Sequence, residues 1–136
     1  MAEYEASVSP FSSDVDAHEH AMSMSIAQVV QELERLLGAT LVAAIGGVGE
    51  TRAVAQWMNG REPQRSHALR FALQIVQMIS TRDDGEVARA WFHGSNPALA
   101  DQTPAVLLRD QPLEDVRSPL LAAARAFAAR KIHNPN

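Results

Sequence analysis

One segment, residues 64–80, limits the possible folds more than any other, because it is apolar around most of a helix circumference. Its polar residues form only a narrow stripe of Arg70, Gln74 and Gln77. A helix of this kind must be covered on several sides. The segment is therefore predicted to be the central helix of the domain or, in part, an interface between two copies in a homodimer. Its apolar residues are Leu69, Phe71, Ala72, Leu73, Ile75, Val76, Met78 and Ile79.

The preceding segment also follows helical spacing. Residues 26–37 carry apolar side chains at the i, i+3, i+4, i+7 positions of an amphipathic helix, which Gly38 ends. A short second helix over residues 41–45 is predicted to break at Gly46-Gly47. Thr51 is the predicted N-cap of a third helix that reaches about residue 58.

Further helix signals continue to the end of the chain. Asp83-Asp84 suits the positive N-terminal end of a helix that closes at Trp91-Phe92. Thr103-Pro104 and Ser118-Pro119 each resemble an N-cap followed by proline at the first helical position. Since no segment alternates with the period of a strand, we expect an all-α fold.

Composition excludes several classes of protein. The 136 residues include no cysteine, which removes disulfides, thiolate zinc sites and cysteine nucleophiles. No long uncharged apolar run and no secretory leader pattern is present, so we expect a cytoplasmic protein without a membrane span. Residues 1–22 carry five acids, four serines and no Lys or Arg, and we expect a disordered acidic tail there. The net charge of the chain is −4, but residues 23–136 taken alone have a net charge of +1. Eleven of the twelve basic residues are Arg.

Residues 41–60 have the order of a helix-turn-helix: a short helix, a glycine turn and a second short helix. Arg52 and Gln56 lie one turn apart, where they could bond guanine and adenine in the major groove. Arg61, Arg65 and Arg70 follow, where they could contact phosphates. An ordinary helical hairpin with a solvated face fits the same residues.

Motifs of catalysis are missing from the sequence: there is no nucleophile elbow, phosphate loop or dinucleotide fingerprint. We therefore expect a binding protein that needs no metal and no cofactor, and not an enzyme.

Residues 91–108 combine aromatics, a turn and two apolar clusters, which taken alone fit core packing.

Taken in order, the two blocks resemble the Xre/MbcA/ParS antitoxin family. The segment from Trp57 to Pro63, WMNGREP, is similar to the family's W-L-x-G-x-x-x-P. Residues 90–108 are similar to its C-terminal R-x-W-L…N-P-x-L-G-G-x-T-P…L-L. The resemblance covers roughly residues 25–130. It departs from the family at Ala100-Asp101, where a glycine pair is usual; the shape of this turn is expected to differ, because glycine most readily supplies positive φ. It also departs at residues 46–49, where the turn is one residue longer than usual.

The resemblance implies a division into a helix-turn-helix region over 23–80 and a toxin-binding domain over 81–136. It implies an antitoxin that binds a RES-domain toxin, closes that toxin's NAD pocket and, in complex, represses its own promoter through DNA binding. The assembly would be a homodimer or a larger toxin–antitoxin complex. The toxin-binding residues would be Trp91, Asn96, Pro97, Leu99, Thr103 and Pro104.

The C-terminal segment is a second candidate contact with the toxin. Its candidate residues are Arg125, Arg130, Lys131, Ile132 and His133, which we expect to cover the NAD entrance while the 91–108 block acts as a platform. A frayed end fits the last residues equally well. A free-standing helix-turn-helix transcriptional regulator and a purely structural helical module are the alternative functions.

Overall fold

Helices make up the regular structure of the residues described by the computed structural model, 14–80 and 85–133. The all-α expectation is confirmed over these residues. The helices are α1 Asp14–Ser23, α2 Ile26–Leu37, α3 Ala39–Ile45, α4 Arg52–Met58, α5 Ser66–Ile79, α6 Glu86–His93, a 3₁₀ helix Pro97–Leu99, α7 Pro104–Asp110 and α8 Leu113–His133.

Helix α5 is the centre of the molecule, as its nearly continuous apolar surface predicts. It packs against α1, α2, α3, α6 and α8. Phe71, Leu73 and Ile75 are among its fully buried side chains, and even the polar Gln74 is only 6% exposed. Arg117 of α8 stacks over the Phe71 ring at 5.0 Å from its centroid. Because the chain itself covers α5, no broad apolar face of this helix remains for a second copy.

Helix α1 corrects the expectation of a disordered acidic tail. Residues 14–23 are helical and pack on α5, while residues 1–13 lie outside the described part of the chain. Ala17 and Ala21, one helical turn apart, are 0% and 1% exposed. Their small side chains bury little apolar area but allow the helix to approach α5 closely. This explains why neither the acid count nor the apolar periodicity identified the helix.

Helix α8 begins earlier than predicted. The Ser118-Pro119 signal placed its start six residues too late, since Pro119 lies inside the helix that begins at Leu113. Proline removes one helical hydrogen bond. Ser118 and Pro119 are exposed, so water can satisfy the carbonyl that loses its donor. Val116, Leu120 and Ala124 are buried at i, i+4 and i+8, and this packed face holds the helix continuous through the proline.

The helix boundaries before α5 follow the sequence closely. Helix α2 ends at Gly38, which has a φ of 86°, and it begins with a capping box between Ser25 and Gln28. Thr51 and Thr103 stand at the predicted N-cap positions, but neither side chain makes a capping hydrogen bond. The predicted helix start at Asp83-Asp84 falls outside the described residues, and α6 begins at Glu86.

One hydrophobic cluster joins the two regions that the sequence suggested. It runs from Ala21 to Ala124 and takes buried residues from both 23–80 and 81–136. Surfaces on either region are therefore held by the same core, and a loss of packing in one region propagates to the other.

Adjacent positions on α1 test its docking. We expect Ala21→Asp to lower the free energy of unfolding by about 2–4 kcal/mol, because it places a charge in the packed contact with α5. Met22→Asp introduces the same residue one position later, where the side chain is 50% exposed. This variant should change the free energy of unfolding by less than about 0.5 kcal/mol. Urea denaturation of both variants measures the difference. Equal stabilities would mean that α1 does not pack as described.

Candidate DNA-binding and partner-binding surfaces

The predicted helix-turn-helix block folds as two short helices that pack together and against α2. Helices α3 and α4 have seven residues each, and α4 contacts both α2 and α3. Trp57 of α4 is buried against Gly46, where an added Cβ would lie 2.5 Å from the Trp57 ring. The turn therefore requires glycine at this position, and the indole fixes α4 against it.

Three of the predicted DNA-binding residues form one exposed polar face. Arg52 and Gln56 are exposed on α4, and the Arg61 guanidinium donates to the Gln56 side-chain oxygen at 3.3 Å. Arg52 also pairs with Glu50 at 3.0 Å, with both side chains more than two-thirds exposed. Such a solvated ion pair contributes little energy and does not prevent Arg52 from binding another acceptor.

Arg65 makes contacts within the fold, and its predicted role as a phosphate contact stays a prediction. Its guanidinium donates from Nη1 to the Arg109 carbonyl and from Nη2 to the Gln111 carbonyl, each at 2.8 Å. These carbonyls belong to the C-terminal end of α7, where helical acceptors lack intrahelical donors. Arg65 therefore caps α7 across the chain.

Arg70 and Arg89 act in the same way. Arg70 donates to the carbonyls of Ala21 and Met24 at the end of α1. Arg89 donates to the Leu36 carbonyl at the end of α2, at 2.8 Å. These arginines are half-buried and held by backbone acceptors. The exposed charges that remain around α4, Glu50, Arg52, Arg61 and Glu62, sum to zero, so this surface is polar but not basic.

The predicted partner-binding residues divide into buried and surface positions. Trp91, Leu99 and Pro104 are buried, and the Trp91 ring meets Phe92 edge to face at a centroid distance of 5.2 Å. These side chains support the surface from below, and their role in partner contact stays a prediction. Pro97 is exposed, and Asn96 and Thr103 are half-buried.

Asn96 organises the loop between α6 and α7. Its side-chain oxygen accepts from the Ala98 amide at 2.9 Å, and its carbonyl accepts from the amides of Leu99 and Asp101. Its own amide donates to the Gln102 carbonyl at 3.1 Å. The loop is therefore fixed by one residue at its start. Its exposed residues include Ala98, Ala100, Asp101 and Gln102, for which the sequence analysis proposed no partner contact, and Val106 is exposed at the start of α7.

Two residues of this loop have left-handed backbone conformation. Ala100 has a φ of 56° and Asp101 a φ of 65°, and they are the non-glycine residues with positive φ in the described chain. The conformation is costly for L-residues and natural for glycine. It occurs at the two positions where the resembled family has its glycine pair, so the turn keeps the backbone conformation that glycines favour.

The C-terminal candidates lie on α8. Arg125 and Arg130 are exposed on this helix, and the helical backbone continues through Lys131, Ile132 and His133. Helix α8 packs against the 3₁₀ helix and α7. The loop and α8 therefore belong to one packed unit.

An open cleft of about 370 Å³ separates the turn after α3 from the end of α7. Arg109 lies at its edge and bonds Asp110, and this hydrogen bond holds the pKa of the Asp110 carboxyl below its usual value. The cleft is lined by Thr40, Ala43, Ala44, Gly47, Val48, Gly49, Thr51 and Arg109.

Comparisons with protein-family models, curated proteins and solved structures found no match.

Within residues 14–80 and 85–133, no group of three or more histidine, aspartate or glutamate side chains is placed to hold a metal ion. Among the described helices, none has the length and apolarity needed to cross a membrane.

Replacing Arg65 tests its capping role. We expect Arg65→Ala to reduce the free energy of unfolding by about 1–2 kcal/mol, since two helix-end carbonyls lose a charged donor. Arg65→Lys should recover little, because one ammonium cannot bond both carbonyls as the guanidinium fork does. Arg61→Ala, which removes an exposed guanidinium nearby, is the control and should change stability by less than about 0.5 kcal/mol. A stable Arg65→Ala protein in urea denaturation would refute the cap.

Glycine substitutions test the strained turn. Ala100→Gly and Asp101→Gly should each stabilise the protein by roughly 0.5–1 kcal/mol, because relief of the left-handed strain exceeds the added chain entropy. Ala98→Gly, in the same loop but at negative φ, should destabilise it by a similar amount. Thermal unfolding measures all three variants. A decrease in stability at positions 100 and 101 would contradict the described backbone.

Proposed function

We propose that the protein is an antitoxin that binds and inhibits a RES-domain, NAD-degrading toxin. The left-handed pair Ala100-Asp101 carries the proposal. A resemblance in sequence letters says nothing directly about φ, so a glycine-like backbone where the family has glycines is independent support. The order of the two sequence blocks supports the same assignment.

The contact surface of the proposed antitoxin is the loop between α6 and α7 together with the start of α7. Pro97, Ala98 and Val106 supply exposed apolar contacts, and Val106 is 39% exposed. Asn96 holds the loop in one conformation, so little ordering entropy is lost on binding. The end of α8, a helix that packs against α7 and the 3₁₀ helix, would cover the NAD entrance of the toxin. The antitoxin itself requires no cofactor for this role.

Two exposed valines provide a matched test. With a RES-domain toxin as the binding partner, Val106→Asp should weaken binding by roughly 30-fold or more, because it buries an unpaired charge at the centre of the proposed contact. Val15→Asp makes the same change on α1, where valine is 60% exposed, and should bind normally. Affinity and inhibition of NAD hydrolysis are both measured.

Truncation after residue 130 separates the two parts of the surface. The shortened protein should still bind the toxin through the loop while NAD hydrolysis resumes. Full inhibition by the truncated protein would assign inhibition to the loop alone. Absence of binding by the intact protein would refute the antitoxin function.

DNA binding is the second candidate function, and the exposed face of Arg52, Gln56 and Arg61 favours it. Arg52 and Gln56 lie on the second helix of the predicted helix-turn-helix block, where base contacts are made in such motifs, and Arg61 follows that helix. Because the charge around α4 is neutral, we expect the free protein to bind DNA weakly. A complex that carries several copies of this face would bind DNA more strongly, because its contacts act together. This would give autoregulation in the antitoxin, or a free-standing regulator if no toxin is bound.

A gel-shift series on the upstream promoter tests this candidate. Arg52→Ala should cost about 1–3 kcal/mol on the specific site while leaving random DNA binding unchanged. Arg61→Ala should weaken binding to every sequence and reduce the salt dependence. Arg35→Ala on α2 is the control for loss of one exposed arginine. If Arg52→Ala binds as well as the original protein, Arg52 does not contact bases.

A further inference from the structure

The end of α4 contains a pair of residues with chemistry that neither proposed surface uses. Asn59 is followed directly by Gly60, and both are exposed. Gly60 has a φ of 109° and no Cβ, so its amide nitrogen is sterically open. A side-chain amide next to an unhindered backbone nitrogen can be attacked by that nitrogen.

Two hydrogen bonds hold this pair apart in the folded chain. The Asn59 side-chain nitrogen donates to the Ala55 carbonyl at 3.0 Å, and the Gly60 amide donates to the Trp57 carbonyl at 3.1 Å. Asn59 has a ψ of 11°, which keeps its side-chain carbon away from the Gly60 nitrogen. Both bonds end on the last turn of α4, so opening of this one turn releases both reacting groups.

We propose that Asn59 is a site of spontaneous deamidation, controlled by opening of the last turn of α4. The Gly60 nitrogen loses its proton to water and bonds to the Asn59 side-chain carbon, and the bond from that carbon to the side-chain nitrogen breaks. The nitrogen leaves as ammonia after taking up a proton, and a cyclic imide remains. Water then opens the imide at either carbonyl, giving aspartate or isoaspartate, with no change in oxidation state.

The local structure favours opening at this position. Helix α4 has only seven residues, and Ala55, Gln56 and Asn59 on its outer side are exposed. The ends of short helices open at a lower free-energy cost than the core. The product also loosens the turn, because a carboxylate cannot donate to the Ala55 carbonyl and lies unfavourably at the negative end of a helix.

Asn96 is an internal control in the same chain. It is followed by Pro97, whose nitrogen carries no hydrogen and is already bonded to three carbons, so the same cyclisation cannot occur. Peptide mass spectrometry of the native full chain, incubated in mildly alkaline buffer, should find the amide-to-acid mass change at Asn59 and not at Asn96. The urea-unfolded chain should react faster at Asn59. Retention of the native Asn59 amide after the unfolded chain has converted fully would overturn the proposal.

Matched glycine substitutions test whether opening is local. Ala55→Gly weakens the last turn of α4 and should accelerate the native reaction at Asn59 about fivefold, the factor expected for one destabilised helical position. Ala122→Gly makes the same change at an exposed position of α8 and should leave the rate unchanged. Equal acceleration by both variants would assign opening to the whole fold and overturn the local mechanism.

The conversion also makes the exposed charge around α4 negative, which would weaken DNA binding. This consequence rests on the proposed DNA-binding function, and gel shifts of the separated deamidated and unmodified forms test it. We expect weaker binding by the deamidated form. Equal binding by the two forms would refute the consequence, whereas failure of the unmodified form to bind DNA would refute the DNA-binding function and leave the mass-spectrometric result standing.

Discussion

Arginine side chains that bond helix-end carbonyls from distant parts of the chain are the interactions on which this fold depends. Arg70 holds the end of α1, Arg89 the end of α2 and Arg65 the end of α7, and the partners lie 44–53 residues apart in sequence. A helix of seven residues such as α7 cannot persist on its own cooperativity. Each guanidinium donates to carbonyls at a helix end, and its positive charge interacts favourably with the negative end of the helix dipole. Two of the three arginines lie on α5 or at its N-cap, so the central helix also orients its neighbours.

This use of arginine separates the scaffold from the surfaces. Four arginines make residues 50–70 resemble a nucleic-acid-binding segment. Arg65 and Arg70 bond backbone carbonyls within the fold, and Arg52 and Arg61 remain exposed on its surface. The segment 96–106, which comprises the loop before α7 and the start of α7, is held at Asn96 by hydrogen bonds and exposes the apolar side chains of Pro97, Ala98 and Val106. The proposed protein partner would contact the loop, and the proposed DNA contact would lie on the α4 face.

Some of this organisation could be predicted from the sequence, and some could not. Helix α2 and the central position of α5 follow from apolar spacing, which is a local property. Helix α1 was missed because its buried residues are alanines, whose small area gives almost no periodic signal among acids and serines. The start of α8 was misplaced because a local proline rule outweighed the spacing of Val116 and Leu120. The role of Arg65 depends on where α7 lies, and no local pattern contains that information.

Hydrogen–deuterium exchange of the chain, measured with and without a RES-domain toxin, is the most direct test of the antitoxin account. The account predicts slower exchange in the loop from Asn96 to Val106 and at the end of α8 when the toxin is bound. Exchange across α4 should be unchanged by the toxin. Protection confined to α4, or no change anywhere in the presence of excess toxin, would contradict the proposed function.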